Sequence, residues 1–183
     1  MSNAIVIIPT YKEKENIRPI IGAVFALPKD FHVLIVDDNS PDGTAAIVED
    51  LQQQYNVNGT TKLHLMKRPG KMGLGTAYIS GFRYAMAKGY AYILEMDADF
   101  SHDPKDLVNL YLECSEGGAD LSIGSRYATG VNVVNWPIGR VLLSYFASSY
   151  VRIVTSMPIR DTTAGFVCYK KEVLESINLD QIR

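Results

Sequence analysis

The chain has 183 residues, enough for one domain that buries roughly 70% of its unfolded surface. Lys and Arg number 18 against 20 Asp and Glu, a formal net charge of −2 that offers no electrostatic footprint for nucleic acid, so no nucleic-acid partner is expected. Two cysteines, Cys114 and Cys168, are too few for a disulfide framework and lack metal-site spacing, which points to a reducing compartment.

Short β-like runs alternate with longer helical ones. Residues 5–8 (Ile-Val-Ile-Ile) read as a buried strand ended by Pro9-Thr10-Tyr11. A helix is expected over about 13–27, with Ile17, Ile20, Ile21, Val24 and Phe25 on one face. A second strand, 33–36, stops at Asp37-Asp38, and Ser40-Pro41-Asp42-Gly43-Thr44 turns into a helix reaching about Tyr55. A third strand covers 63–66. The glycine-rich turn 70–75 leads into a helix ending near Lys88-Gly89.

The fourth strand, 90–96, runs into Asp97-Ala98-Asp99. A helix from Pro104 to about Glu116 follows, with Asp103 expected as its N-cap and Pro104 as its first residue. Residues 120–124 form a fifth strand. Beyond Arg126 come a loop over 129–137, an amphipathic helix over roughly 138–155, the run Asp161-Thr162-Thr163, a strand over 165–169 and a helix start at Lys171. The repeated β-α-β order predicts an α/β fold, a doubly wound, mostly parallel sheet with right-handed crossovers. Residues 1–183 are expected to form a single catalytic domain cut short at its C-terminus. No segment approaches the ~20 apolar residues that span a bilayer, and no basic stretch precedes the first apolar run as in a signal peptide. Any membrane role is therefore expected to be peripheral.

The most informative feature is Asp97-Ala98-Asp99, because the C-terminal end of a strand is where open α/β sheets bind ligands. Two hard oxygen donors side by side suit Mg²⁺ or Mn²⁺ carried on a diphosphate, since Mg²⁺ takes one or two carboxylates and leaves its other positions to water and phosphate. With Asp103-Pro104 assigned to the next helix, the pair is left without a structural task. Other polar residues gather at strand ends on the same rim: Tyr11 and Glu13, Asp37 and Asp38, and Arg126. A carboxylate beyond the second strand can accept from a base N–H or a ribose hydroxyl. An Arg after the fifth strand can neutralise phosphate through two bonds. The plainer alternatives are a surface salt bridge for Arg126 and a turn held with Ser40 for Asp37 and Asp38.

Two motifs fail on spacing. Gly70 to Gly75 is neither a dinucleotide fingerprint after the first strand nor a P-loop. Its expected role is close backbone approach between strand and helix, with Lys71 in solvent. His32, His64 and His102 lack metal spacing, and His102 reads as a local cap.

Taken together, several segments carry a resemblance: Ile8-Pro9-Thr10-Tyr11-Lys12-Glu13-Lys14-Glu15-Asn16-Ile17, Val36-Asp37-Asp38-Asn39-Ser40-Pro41-Asp42-Gly43-Thr44, Gly73-Leu74-Gly75-Thr76-Ala77, Met96-Asp97-Ala98-Asp99-Phe100-Ser101-His102-Asp103-Pro104, Gly124-Ser125-Arg126-Tyr127, Trp136 with Arg140 and Ser144, and Asp161-Thr162-Thr163-Ala164-Gly165-Phe166. In this order they resemble the family 2 glycosyltransferases of GT-A fold, and within them the dolichol-phosphate or polyprenol-phosphate mannosyltransferases.

The resemblance implies that Pro9, Tyr11, Glu13, Val36, Asp37 and Asp38 line a nucleotide pocket. It implies that Asp97 and Ala98 contact the nucleotide sugar, that Asp99 ligates Mg²⁺ or Mn²⁺ beside Asp97, and that Arg126 and Arg140 face the diphosphate or the acceptor phosphate. Asp99, Arg126 and Arg140 would then carry the catalysis. Some relatives place a metal-binding Gln two residues past the second Asp, where this chain has Ser101.

The implied reaction is inverting transfer of mannose from GDP-mannose to a dolichol or polyprenol phosphate, at the cytosolic face of a membrane. A UDP-sugar donor is the alternative. The helix over 138–155 either lies at the bilayer interface or packs on the sheet. A sugar-1-phosphate nucleotidyltransferase would carry a glycine-rich basic signature after the first strand, which Thr10-Tyr11-Lys12-Glu13 does not supply. A phosphoryl-receiver module would place its acidic pair after the first strand, not the second.

Overall fold

Two strands without an exposed residue set the centre of the molecule. In a computed structural model, which describes residues 2–125, 138–156, 159, 161 and 164–182 apart from the side chains of 138 and 140–145, β1 (Ala4–Thr10) and β2 (His32–Asp37) are buried almost throughout. Such runs belong to inner strands covered on both faces. They are flanked by β3 (Leu63–Lys67) and β4 (Tyr92–Glu95), all parallel, with Ile7 opposite Glu95 and Thr10 opposite Asp37. β6 (Val167–Lys170) inserts antiparallel between β4 and β5 (Leu121–Ile123), giving the order β3-β2-β1-β4-β6-β5. Because β6 opposes both neighbours, β5 runs with β4, and the C-terminal ends of β1, β2, β4 and β5 share one rim. The mostly parallel sheet expected from the β-α-β order is what forms.

Side-chain alternation sorts the core into two layers. Val6, Ile8, Val33 and Ile35 point toward α1 (Ile17–Phe25), α2 (Thr44–Tyr55) and α4 (Asp106–Ser115), meeting Ile17, Ile20, Val48, Leu51 and Leu107. Ile5, Ile7, Leu34, Val36 and Ile93 point the other way, toward α3 (Leu74–Ala87) and α6 (Lys171–Ser176). A Cβ added at Gly81 of α3 would lie 2.7 Å from Ile7 Cγ2. Glycine there lets α3 ride against β1, which brings its first turns to the rim.

Two local expectations change. The helix after the Asp pair starts at Asp106, with Lys105 rather than Asp103 at its N-cap. Asp103 instead folds a preceding turn, its Oδ1 accepting from Lys105 N at 3.0 Å and its carbonyl from Asp106 N. The glycine-rich turn is not a crowded approach either, since a Cβ at Gly70, Gly73 or Gly75 would meet nothing within 4 Å. What it needs is a positive φ with extended ψ, which glycine alone adopts readily: Gly73 at φ +97°, ψ +148°.

The long helix α5 (Ile138–Thr155) follows, with Phe146, Tyr150, Ile153 and Val154 exposed at i, i+4, i+7 and i+8. Among the described residues no helix is long and apolar enough to cross a membrane.

Candidate active site

A cavity of about 260 Å³ opens at the rim, where β1, β2 and β4 end and α3 begins. It is lined by Pro9, Thr10, Tyr11 and Glu13 at and after the end of β1, Asp38 after β2, Lys71, Gly73, Leu74 and Ala77 of the strap and the start of α3, and Asp97, Ala98 and Asp99 after β4. Tyr11, Glu13, Asp38, Asp97 and Asp99, distant in sequence, thus meet in one place.

The end of β1 is tied to the end of β2. Asp38 N donates to the Thr10 carbonyl at 3.0 Å, and Glu13 N donates to Thr44 Oγ1 at 3.1 Å. Asp37 serves this join: its Oδ1 accepts from Thr10 Oγ1 at 3.0 Å and Ser40 Oγ at 2.6 Å, and its Oδ2 from Ser40 N at 2.9 Å. That is the turn-holding alternative, so Asp37 supports the cavity from behind. Val36 has no exposed surface and packs in the α3-side core.

Asp38 is gripped by a residue the sequence reading passed over. Arg68 donates Nε to Oδ1 at 2.5 Å and Nη2 to Oδ2 at 2.7 Å, with both side chains less than a tenth exposed. Such a two-pronged guanidinium–carboxylate pair fixes orientation as well as charge. Arg68 reaches on to Thr76 Oγ1 at 2.8 Å and the Gly73 carbonyl at 3.2 Å, locking the strap over the cavity. Lys71 is exposed as expected, yet it lines the cavity with its Nζ 4.6 Å from the Tyr11 ring centroid, a cation–π distance.

Beyond β4 the two aspartates differ. Asp97 is half-buried, and Tyr78 Oη donates to its Oδ1 at 3.1 Å. Asp99 is exposed, with one oxygen accepting from Ser101 N at 2.9 Å, so this carboxylate does have a turn to hold. The next residue, Phe100, sits at φ +56°, a costly conformation for a bulky side chain that collects at functional sites.

Two residues before Asp97, Glu95 lies buried inside the run read as apolar. Burial, with the Asp97 charge adding to it, pushes its carboxyl up to about 7, against a hydrogen bond from Tyr169 Oη at 3.4 Å. His102 stacks on Phe166, with centroids 4.8 Å apart and planes at 21°. Arg126 and Trp136 fall outside the described residues, as does the side chain of Arg140.

No group of three or more His, Cys, Asp or Glu among the described residues is arranged to hold a metal by itself. Two hard carboxylates on one cavity wall instead fit a cation that brings phosphate oxygens and water as its remaining ligands.

Residues 5–177 match the family described as glycosyl transferase family 2. The chain is 45% identical over 178 residues to the polyprenol monophosphomannose synthase of Mycolicibacterium smegmatis, covering 97% of this chain and 65% of that protein. It is 41% identical over 176 residues to the undecaprenyl-phosphate mannosyltransferase of Micrococcus luteus, covering 96% of this chain and 70% of that protein. The chain therefore spans 65–70% of the length of these relatives. Among solved structures, the mannosyltransferase PcManGT from Pyrobaculum calidifontis, in complex with GDP-Man and Mn²⁺, superposes with a TM-score of 0.65 at 21% identity. That likeness covers 94% of this chain and 46% of PcManGT, and it is one of fold.

The chain belongs to glycosyl transferase family 2. Its sheet is the GT-A arrangement that the sequence motifs imply.

Proposed function

We propose that this chain binds GDP-mannose with Mg²⁺ or Mn²⁺ and transfers mannose to a polyprenol or dolichol phosphate. The observation that carries the reading is that Asp97 and Asp99 face the same cavity as Tyr11 and Asp38. The names of the relatives at 41–45% identity supply the sugar and the class of acceptor.

In this reading the nucleoside rests along Pro9, Tyr11 and Glu13, with Asp38 as hydrogen-bond acceptor for the base or ribose and Val36 and Asp37 as the support beneath. The diphosphate lies against Asp97, Ala98 and Asp99. Asp97 and Asp99 would hold the divalent ion, which when bound offsets the charge of the departing nucleoside diphosphate. Lys71, on the strap that lines the same cavity beside Tyr11, adds a cation to it. Arg126 and Arg140 are the proposed contacts of the diphosphate and the acceptor phosphate.

The acceptor is already an anion at neutral pH, so the chemistry asks for no strong general base. Its attack from the face opposite the leaving group inverts the anomeric centre. What the protein supplies is orientation and fixed charge aimed at the leaving group. The exposed stripe Phe146, Tyr150, Ile153 and Val154, with Arg152 on the same helix, suits peripheral contact with the cytosolic face of a membrane, where the lipid phosphate is presented.

Calorimetric titration of GDP-mannose, GDP, UDP-glucose and UDP, each with and without Mn²⁺, tests the reading. Metal-dependent binding of the guanine ligands alone is the expected result. A preference for uridine ligands moves the donor to a UDP-sugar, and no binding of any of the four contradicts the reading.

A further inference from the structure

The two aspartates of the site are not held alike. Among the described residues Asp99, which is exposed, is fastened to the amide next but one along the chain, whereas Asp97 is gripped from another element. Tyr78, in the second turn of α3, lies 19 residues away in sequence and is nine-tenths buried. Its ring stacks on Phe82, four residues on and therefore on the same helix face, with centroids 6.2 Å apart. The close approach of α3 to β1 at Gly81 brings that face to the end of β4. The other side of the Asp97 carboxylate meets the chain just before β6, where a Cβ built on Gly165 would stand 3.5 Å from Oδ2.

We propose that Tyr78 is a positioning residue for the Asp-x-Asp pair, its buried hydroxyl fixing the plane of the Asp97 carboxylate for the metal-bound diphosphate. The inference rests on the donor-binding reading above and adds to it a residue outside the matched acidic motif. A carboxylate held before the ligand arrives loses less freedom on binding and presents its oxygens in one geometry. The phenol suits the task because its hydroxyl donates to Asp97 Oδ1 at 3.1 Å while its ring is anchored against Phe82. An aliphatic residue would fill the space and leave Asp97 Oδ1 without this partner. A second acid would repel it.

Tyr78→Phe removes the hydroxyl and keeps the ring against Phe82. The experiment titrates GDP into wild type, Tyr78→Phe, Asp97→Asn and the double variant, each with and without Mn²⁺, alongside thermal unfolding of all four. The expected result for Tyr78→Phe is a melting temperature near that of wild type and metal-free affinity for GDP within about twofold. The affinity gain conferred by Mn²⁺ should shrink about 10-fold, the size of one lost bond to a charged group. In the Asp97→Asn background the same substitution should change that gain no further.

A Tyr78→Phe protein that keeps the full Mn²⁺ gain overturns the proposal. So does one whose melting temperature and affinities fall together with and without metal, since that marks a packing role. A wild-type protein that binds GDP without any Mn²⁺ gain, or not at all, overturns the donor-binding reading itself, and the role of Tyr78 falls with it.

Discussion

Arg68 closes on Asp38 through two bonds, at 2.5 and 2.7 Å, in a place where both side chains are almost wholly buried. The pair joins the end of β2 to the strap that lines the cavity. Removing one partner leaves a buried charge without compensation, which costs about 3–5 kcal/mol. Arg68→Ala is expected to lower stability by that order in urea unfolding and to abolish nucleotide binding in the surviving folded fraction. Arg68→Lys should recover only part of both, because an ammonium cannot reproduce the fork that also reaches Thr76 and Gly73.

Asp99 allows the opposite outcome, function lost with the fold kept. It is exposed, and its bond from Ser101 N, local to the turn, is worth about 1 kcal/mol. Asp99→Ala should therefore melt close to wild type, lose the Mn²⁺-dependent part of donor binding, and transfer mannose orders of magnitude more slowly. Unchanged transfer in this variant would remove Asp99 from the mechanism.

At the opposite end of the sheet, His64 bridges two phenols, Tyr84 at 2.9 Å and Tyr90 at 3.2 Å, and Tyr90 reaches His32 at 2.5 Å. Burial, and then the neighbouring His32 and Lys88, push the His64 imidazole down to about 4 from 6.5, while burial lowers His32 as well. A folded-state pKa below the unfolded one means that the unfolded chain takes up protons first. The stability these histidines contribute is complete above pH 6.5 and drains away as the pH falls toward about 4. Glu95 works in the other direction, since a folded pKa near 7 against 4.5 adds stability as the pH falls through that range. The difference in urea midpoint between wild type and His64→Gln isolates the histidine part, and it should shrink or reverse between pH 7.5 and pH 4.5. A constant difference would show that His64 does not titrate on unfolding in that window.

Gly81 is a packing test independent of ligands. A methyl placed there lies 2.7 Å from Ile7 Cγ2, on a side chain with no exposed surface in the central strand. Gly81→Ala should cost about 1–3 kcal/mol in unfolding free energy, as overpacked cores do. Because α3 must shift to admit the methyl, the Mn²⁺-dependent gain in GDP affinity should fall as well.

The rim was legible from the sequence because strand ends announce themselves: apolar runs stop, and Tyr11, Asp38, Asp97 and Asp99 stand at the stops. Hydropathy carries no direction, so the antiparallel entry of β6 between β4 and β5 could not be read from Val167 to Lys170 alone. Arg68 and Tyr78 escaped notice for a related reason. Their partners, Asp38 and Asp97, lie 30 and 19 residues away, and only the tertiary approach of the strap and α3 brings them together. Glu95 was absorbed into an apolar run since one carboxylate among seven residues does not break a strand pattern. Asp37 and Asp38 could not be separated in the sequence. The register of β1 with β2 turns one toward Thr10 and Ser40 and the other toward Arg68 and the cavity.

The central claim is that Asp97 and Asp99 hold a metal–diphosphate in the cavity beside Tyr11 and Asp38. Crystals grown with GDP and Mn²⁺, measured at the manganese absorption edge, test it directly. The account predicts one strong anomalous peak in the cavity beside Asp97 and Asp99, with the nucleoside toward Tyr11 and Asp38. Manganese bound away from Asp97 and Asp99, or a nucleotide seated elsewhere on the protein, would contradict it.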